Sequence, residues 1–369
     1  MSLRPQPVKI KVCLVAISLG EGGADRSCAL LSEMLSERGF EVHLAILNDE
    51  IAFTYNAKLL NLGSLKNGQD SFLKRFFRIK KLKRYLQKEN ITHVIDHRPK
   101  NNYKRELFYK NYVYKGLQTI YVVHSFKTET YFGVEPLKMK ELYDRNLQTV
   151  TVSKAIQNKL QNELGLNNTQ CIYNPFDAAW KTKSREAIYP LELPFILSYG
   201  RIDDDVKDFS FLIRSYHHSE LWKQDLRLII MGEGKDKNKL KRLVEELALT
   251  NHVEFLPFAV NPFPYIAQAY MVALTSKWEG FPMVLVESLS LGIPVVSLDI
   301  NSGPSEIINH EKNGLLVTER EYPAFADALC ELFENPSLYA TCKENAQASV
   351  SQFSKEVIAE AWTKLLTNE

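Results

Sequence analysis

The sequence predicts an α/β protein of two domains, each a doubly wound parallel sheet, and three observations predict it. The chain has 369 residues, whereas single cores stop growing at roughly 250 residues, so two average α/β domains suit the length. Short β-branched or apolar runs alternate with amphipathic stretches, the pattern of βα units that build a parallel sheet. Between residues 173 and 194 the alternation breaks into YNPFDAAWKTKSREAIYPLELP, whose prolines and lack of period read as a linker.

In the first half the expected strands are KVCLVAI (11–17), EVHLAIL (41–47), THVID (92–96), TIYVVH (119–124) and QTVTVS (148–153). In the second they are PFILSYG (194–200), LRLIIMG (226–232), VEFLPF (253–258), MVALTS (271–276), IPVVSLD (293–299) and NGLLV (313–317). The expected domains are residues 1–180 and 181–350, with a terminal helix in 351–369 packing back toward the first. Two such halves facing each other would set the C-terminal ends of both strand sets at the mouth of a cleft, where open α/β sheets place ligands.

Composition is that of a soluble globular protein, 45% hydrophobic and 24% charged, and no apolar run approaches the roughly 20 residues of a membrane-spanning helix. The opening apolar stretch, about nine residues ending in a Gly-rich turn, reads as a first buried strand and not a signal peptide, which predicts a cytoplasmic protein. Five cysteines without CxxC spacing indicate neither a zinc site nor a disulfide framework. Divided after Pro190, the chain has 30 basic and 18 acidic residues on the left (+12), leaving 16 and 26 (−10) on the right. A basic half attracts anionic surfaces or phosphorylated acceptors, although it also suits plain surface composition.

The segment EGFPMVLVE (279–287) places Glu279 in a loop and Glu287 on the helix that Pro282 begins. Eight residues of helix span about 12 Å, too far for a shared-proton pair. The backbone amides of Met283, Val284 and Leu285 would point out of the helix start, where an anion such as a diphosphate fits. Taken alone, two glutamates at this spacing are better explained as a capping acid and a solvated helix face than as a catalytic pair. Arg201 and Lys207, six residues apart after FILSYG, add two cations able to hold a pyrophosphate without a divalent metal. Asp203, Asp204 and Asp205 between them read as a solvated loop rather than a metal cluster. Gly20, Gly22 and Gly23 join the first strand to the first helix, either as a plain tight turn or where backbone approaches phosphate or sugar closely. Their spacing is not GxGxxG. His124 and, more weakly, His97 followed by Arg98 end strands of this half.

Together these residues resemble glycosyltransferase family 4, enzymes of the GT-B fold with two facing Rossmann-like domains and an interdomain cleft. The E-x7-E motif matches Glu279 and Glu287, the Gly-Arg…Lys signature Gly200, Arg201 and Lys207, the Gly-Gly loop Gly22 and Gly23, and the cleft histidine His124. MGEG (231–234) and SGPSEII (302–308) add to the likeness. The resemblance implies a retaining, metal-independent transferase that needs no cofactor and whose substrate is a nucleotide sugar, with uridine the expected base. Glu279 would contact the donor sugar, Glu287 the ribose, Arg201 and Lys207 the phosphates, and His124 the transferred sugar. Phe281, Pro282, Met283, Val284 and Leu285 would line sugar and diphosphate. The base would lie near Pro257 and Phe258; proline has no N–H, so a backbone contact there falls to Phe258.

The resemblance also assigns acceptor choice to the basic first domain. From Lys74 to Lys88, KRFFRIKKLKRYLQK interleaves eight basic residues with apolar ones, as in a helix lying on anionic lipid or one packing its apolar side on the sheet. Lys80, Lys81, Lys83, Arg84 and Arg98 are the acceptor or membrane candidates. The expected acceptor is a lipid-linked carrier or oligosaccharide in bacterial surface-glycan assembly, at the inner face of the membrane. No nucleic-acid module is readable. The rival readings are a noncatalytic sugar-nucleotide or glycan binder and a sugar-nucleotide epimerase.

Overall fold

The computed structural model describes residues 10–20, 22–66, 71–186, 191 and 194–367, the side chain of Phe72 excepted. Part of the expected linker, residues 187–190 and 192–193, lies outside them. The chain forms two compact units, one of Met1–Tyr173 with Glu356–Glu369 and one of Asn174–Lys355.

The first unit carries β1 (Lys11–Ala16), α1 (Gly23–Glu37), β2 (Glu41–Ile46), β3 (Lys58–Asn61), α2 (Phe72–Lys88), β4 (His93–Asp96), α3 (Tyr103–Phe108), β5 (Gln118–Val123), β6 (Gln148–Thr151) and β7 (Thr169–Cys171). Its sheet runs β3-β2-β1-β4-β5-β6-β7, parallel throughout. Val12, Cys13, Leu14 and Val15 of β1 are wholly buried, as a strand covered on both faces must be. The strand order reverses between β1 and β4, so the C-terminal ends of these two strands flank the point where such sheets open to ligands. His97 follows β4 there, its amide donating to the Val15 carbonyl at 2.9 Å.

Helix α2 begins at Ser71, whose hydroxyl accepts from the Lys74 amide at 3.4 Å. Its second half buries Leu82 and Leu86 against the sheet, whereas Leu73 and Phe77 in the first turns are 66% and 65% exposed. Packing on the sheet therefore falls to the second half of the helix, while its first turns leave apolar side chains exposed.

The second unit carries β8 (Phe195–Tyr199), α4 (Asp204–Lys207), α5 (Phe209–Ser219), β9 (Arg227–Met231), β10 (Val253–Leu256), β11 (Met271–Leu274), α6 (Met283–Ser290), β12 (Val295–Leu298), β13 (Gly314–Val317) and α7 (Tyr322–Glu334). The parallel order is β10-β9-β8-β11-β12-β13. Here the reversal lies between β8 and β11, and the loops leaving them hold Gly200 to Lys207 and Thr275 to Glu279. The last helix, α8 (Lys355–Thr367), contributes to the first unit from Glu356 onward, where Glu360 meets Arg38 of the first unit at 3.0 Å.

Candidate functional site

In the second unit the loops at the reversal bring Lys207 and Glu279 together. Lys207 Nζ donates to Glu279 Oε1 at 2.6 Å, and the Ser276 hydroxyl donates to the same oxygen at 2.7 Å. A carboxylate with two donors on one oxygen is fixed in direction and keeps the other oxygen for further bonds. The loops are themselves tied. Lys277 N–H donates to the Val206 carbonyl at 2.8 Å, and Arg320 donates to the carbonyls of Thr275 and Ser276 and to the Asp208 carboxylate, at 3.1, 2.7 and 2.8 Å. Asp208 occupies the left-handed region at φ 53° between α4 and α5, which ends the short helix and turns Lys207 back over Gly200. A Cβ on Gly200 would lie 3.6 Å from Lys207 Cε.

Arg201, the other expected cation, is exposed and has no carboxylate partner among the described residues, so its charge is available to a ligand. Glycines make room around it: a Cβ on Gly232 would fall 1.9 Å from the Gly200 carbonyl oxygen, and one on Gly234 2.1 Å from that of Ile202. MGEG thus keeps two backbone segments in contact behind the arginine.

Glu287 is buried, 2% exposed, and accepts from the Tyr199 hydroxyl at 2.6 Å. Helix α6 starts after Pro282 without a side-chain cap. The Leu285 amide, expected to be free, already donates to the Pro282 carbonyl at 3.1 Å, because the first turn is tightened to i→i−3. Met283 and Val284 present amides without a partner among the described residues. The loop ahead is shaped by SGPSEII: the Ser302 hydroxyl donates to the Gly280 carbonyl at 2.6 Å, and a Cβ on Gly303, at φ 102°, would strike Pro282 Cδ at 2.2 Å. Phe281 is buried and Phe258, two residues beyond β10, is half-buried.

Of the three consecutive aspartates, Asp203 and Asp205 lie with Asp236 so that carboxylate oxygens come within 4.8 Å of one another, a grouping able to hold a metal ion, while Asp204 turns to other partners. Asp204 accepts from the Ser210 amide at 2.8 Å and Lys239 at 2.7 Å, which lower its carboxyl below the usual range although burial acts the other way. Asp203 and Asp205 share Lys235 at 3.2 and 2.8 Å.

In the first unit, Asp25 at the start of α1 closes the glycine loop by accepting from the Ser18 hydroxyl at 2.9 Å and the Gly20 amide at 3.0 Å. Burial raises its carboxyl in spite of these bonds. A Cβ on Gly22 would meet nothing within 4 Å, so the space beside this residue is open to a ligand. His124, at the end of β5, bonds through Nε2 to His97 Nδ1 at 2.9 Å, with the ring centroids 5.2 Å apart and the planes 25° from parallel. Burial lowers both imidazoles, His97 to about 3 and His124 well below its ordinary range, so both are neutral near pH 7.

Beneath them lies a buried charge network. Arg98 grips Asp96 in two bonds of 3.0 and 2.7 Å and reaches Glu106 at 3.1 Å. Tyr114 donates to Asp96 at 3.1 Å, and Lys100 donates to the Asp96 and Arg98 carbonyls at 3.1 and 2.9 Å. Burial alone would raise Asp96, but Arg98 and Lys100 bring it to about 2; burial lowers Lys100 to about 8. Arg98 is only 2% exposed. Expected on an acceptor or membrane surface, it is instead a buried structural cation, because two carboxylates already satisfy its guanidinium. The other four candidates lie on α2. Lys81 and Arg84 are exposed, Lys80 is half-buried, and Lys83 stands 3.6 Å over the Tyr112 ring. None has a carboxylate partner among the described residues. No described helix is long and apolar enough to cross a membrane.

The sequence reading did not single out Tyr199, Asp208, Ser276 or Arg320. A serine three residues before Glu279 was the only local signal; the others act across 88, 112 and 44 residues of sequence.

The Glycosyl transferases group 1 profile matches residues 181–349 and that of Glycosyltransferase Family 4 matches residues 21–180. The chain is 30% identical over 368 residues, 96% of it and 99% of the relative, to the Campylobacter jejuni N-acetylgalactosamine-N,N'-diacetylbacillosaminyl-diphospho-undecaprenol 4-alpha-N-acetylgalactosaminyltransferase. It is 24% identical to the amylovoran biosynthesis glycosyltransferase AmsD of Erwinia amylovora, over 97% of this chain and 99% of that one. Among solved structures, Anabaena HepE in complex with UDP and glucose superposes at a TM-score of 0.80 and 20% identity, spanning 98% of this chain and 100% of HepE. The pneumococcal O-GlcNAc transferase GtfA, with UDP and GlcNAc, does so at 0.78 and 11%, spanning 98% and 99%. With two parallel-sheet Rossmann-like units of the GT-B fold and a full-length relative at this identity, the chain belongs to glycosyltransferase family 4 and is a glycosyltransferase of bacterial glycan biosynthesis.

Proposed function

We propose that the enzyme transfers a hexose or N-acetylhexosamine from a nucleotide sugar, with uridine as the base, to a glycan or lipid-linked acceptor, with retention of configuration and without a metal. The observation that carries this is the Lys207–Glu279 pair at 2.6 Å at the reversal of the second sheet, beside exposed Arg201 and the uncapped start of α6. A nucleoside diphosphate leaving here meets two cations and the free amides of Met283 and Val284, which stabilise the charge that develops on it. Glu279 orients the donor sugar and Glu287 the ribose. Among the described residues of the second unit no side chain is set up as a covalent nucleophile, which favours front-face substitution with the departing phosphate taking the acceptor proton.

A uridine donor is supported by HepE and GtfA, both solved with UDP. A lipid-linked acceptor is supported by the Campylobacter relative, named for a diphospho-undecaprenol substrate, and by the exposed side chains of α2. Its first turns expose Leu73 and Phe77, and Lys81 and Arg84 are exposed further along the helix, as in a helix lying on an anionic lipid surface.

Thermal shift with UDP, GDP and their sugar conjugates tests the base, since a ligand at a hundred times its dissociation constant stabilises by about 2.7 kcal/mol. Transfer assays with and without chelator, and NMR of the product's anomeric proton, test the rest. Stabilisation by GDP alone, loss of transfer with chelator, or an inverted product would each overturn its part of the assignment. Ligand-induced stabilisation without turnover on any acceptor would support a noncatalytic binder instead.

A further inference from the structure

We infer that His97 is a positioning residue for the transfer reaction, tying the proton position of His124 to its own, so that the two rings together decide whether His124 offers a donor or an acceptor. This rests on the reading that His124 faces the transferred sugar. The two rings bond through His97 Nδ1 and His124 Nε2 at 2.9 Å, and the outer nitrogens, His97 Nε2 and His124 Nδ1, are shielded from solvent with no partner among the described residues.

A neutral imidazole has one N–H and one bare nitrogen, so the bond admits two arrangements. If His124 Nε2 donates, His97 Nδ1 is bare and the proton of His97 is on Nε2; both rings are then Nε2–H, and His124 Nδ1 is an acceptor. If His97 Nδ1 donates, His124 Nε2 is bare and its proton is on Nδ1; both rings are then Nδ1–H, and His124 Nδ1 is a donor. A mixed pair would set two protons or two lone pairs against each other and lose the bond. The rings must therefore carry their protons on the same-named nitrogen.

The surroundings hold this geometry. The His124 amide donates to the Tyr131 hydroxyl at 3.0 Å, and the His97 amide is fixed to β1. A lone histidine beside a sugar could exchange tautomers to suit either role of a hydroxyl. Here an exchange at His124 requires one at His97, whose outer nitrogen is buried. The same coupling places a donor at one outer nitrogen and an acceptor at the other, matching hydroxyls that can both give and accept a hydrogen bond.

The test is ¹⁵N NMR of the full chain labelled at histidine, with His124 assigned by loss of its signals in His124→Gln and His97 by loss in His97→Asn. Transfer kinetics are measured in His97→Leu and His97→Asn. The expected result is one shared tautomer in the parent. In His97→Leu, the His124 signals should average between tautomers and kcat should fall about 10- to 100-fold, with a smaller change in KM for the donor. His97→Asn, whose amide reaches the position of Nδ1, should recover most of the loss, and it keeps the kinetic comparison readable if His97→Leu does not fold. Mixed tautomers in the parent would overturn the inference, as would parental kcat in a folded His97→Leu. If His124→Gln itself turns over at the parental rate, the sugar-facing reading of His124 falls, whereas matched tautomers would still establish the coupling of the two rings.

Discussion

Lys207 and Glu279 form one ion pair, Nζ to Oε1 at 2.6 Å, with Ser276 on the same oxygen. Sequence alone separates them by 72 residues and assigns one to phosphate and the other to sugar. Their contact means that each sets the position of the other, so neither can be removed cleanly. Lys207→Ala should lower kcat about 100- to 1,000-fold, the range seen for losing one group that stabilises developing charge, while Glu279→Gln retains the Ser276 bond and should lose less. Steady-state transfer kinetics decide this; equal losses would show that the pair contributes only through its charge.

Arg320 links the loops, with three of its five N–H donors on Asp208 and the carbonyls of Thr275 and Ser276. Arg320→Ala should reduce stability by about 1–2 kcal/mol, less than a buried arginine would because its side chain is one-third exposed. It should also lower kcat through the displaced Lys207–Glu279 pair. Urea denaturation alongside kinetics checks both, and unchanged kcat in a destabilised variant would confine Arg320 to folding.

Two glycines should respond in opposite ways. At Gly303 a Cβ meets Pro282 Cδ at 2.2 Å and φ is 102°, so Gly303→Ala should lower the melting temperature and disturb the start of α6. At Gly22 nothing lies within 4 Å and φ is −91°, so Gly22→Ala should leave the melting temperature unchanged while raising KM for donor or acceptor. A drop in melting temperature for Gly22→Ala would make that glycine a structural turn after all.

These contrasts show what sequence could and could not reveal. All six strands of the second sheet were readable, because runs such as LRLII and MVAL are buried on both faces and stand out by hydrophobicity alone. Two edge strands of the first sheet were not: Lys58–Asn61 and Thr169–Cys171 are short, and TQC has no apolar run. Glu279, Lys207 and Arg201 stand out in the sequence by their spacing, and the structure brings the first two into contact. Tyr199, Arg320 and the His97–His124 bond were missed because they arise from neighbours brought together only by the parallel sheet. Arg98 misled for a related reason: an arginine near a strand end looks like a ligand until the burial of Asp96 and Glu106 around it is known.

The histidine pair should make the fold acid-sensitive. Its folded-state values lie below the ordinary 6.5, so as pH falls below 6.5 the unfolded chain takes up protons that the folded chain refuses, and acid favours unfolding. Stability should decline by up to about 1.4 kcal/mol per pH unit for each imidazole, until pH reaches the folded value, near 3 for His97. Asp96, held at about 2, adds a loss in the same direction below its ordinary value. Chemical denaturation between pH 7 and pH 4 should show this slope, and His97→Asn should flatten it; a flat profile in the parent would mean that the rings take up protons in the folded state.

The exposed first turns of α2 and the cations that follow them give the last test. Leu73 and Phe77 are exposed, and neither Lys81 nor Arg84 has a carboxylate partner among the described residues. On vesicles containing anionic lipid, each basic residue near the surface contributes about 1 kcal/mol. Replacing Lys80, Lys81, Lys83 and Arg84 by Ser should therefore weaken co-sedimentation with such vesicles by a factor of 100 or more, steeply so at low salt. Leu82 and Leu86, which hold the helix to the sheet, are untouched, so the melting temperature should stay within a few degrees of the parent. Activity on a short water-soluble acceptor should be preserved while activity on a lipid-embedded one falls. Equal binding by parent and variant would move the membrane contact elsewhere on the first unit, and no binding by the parent would leave α2 as a helix whose cations are merely solvated.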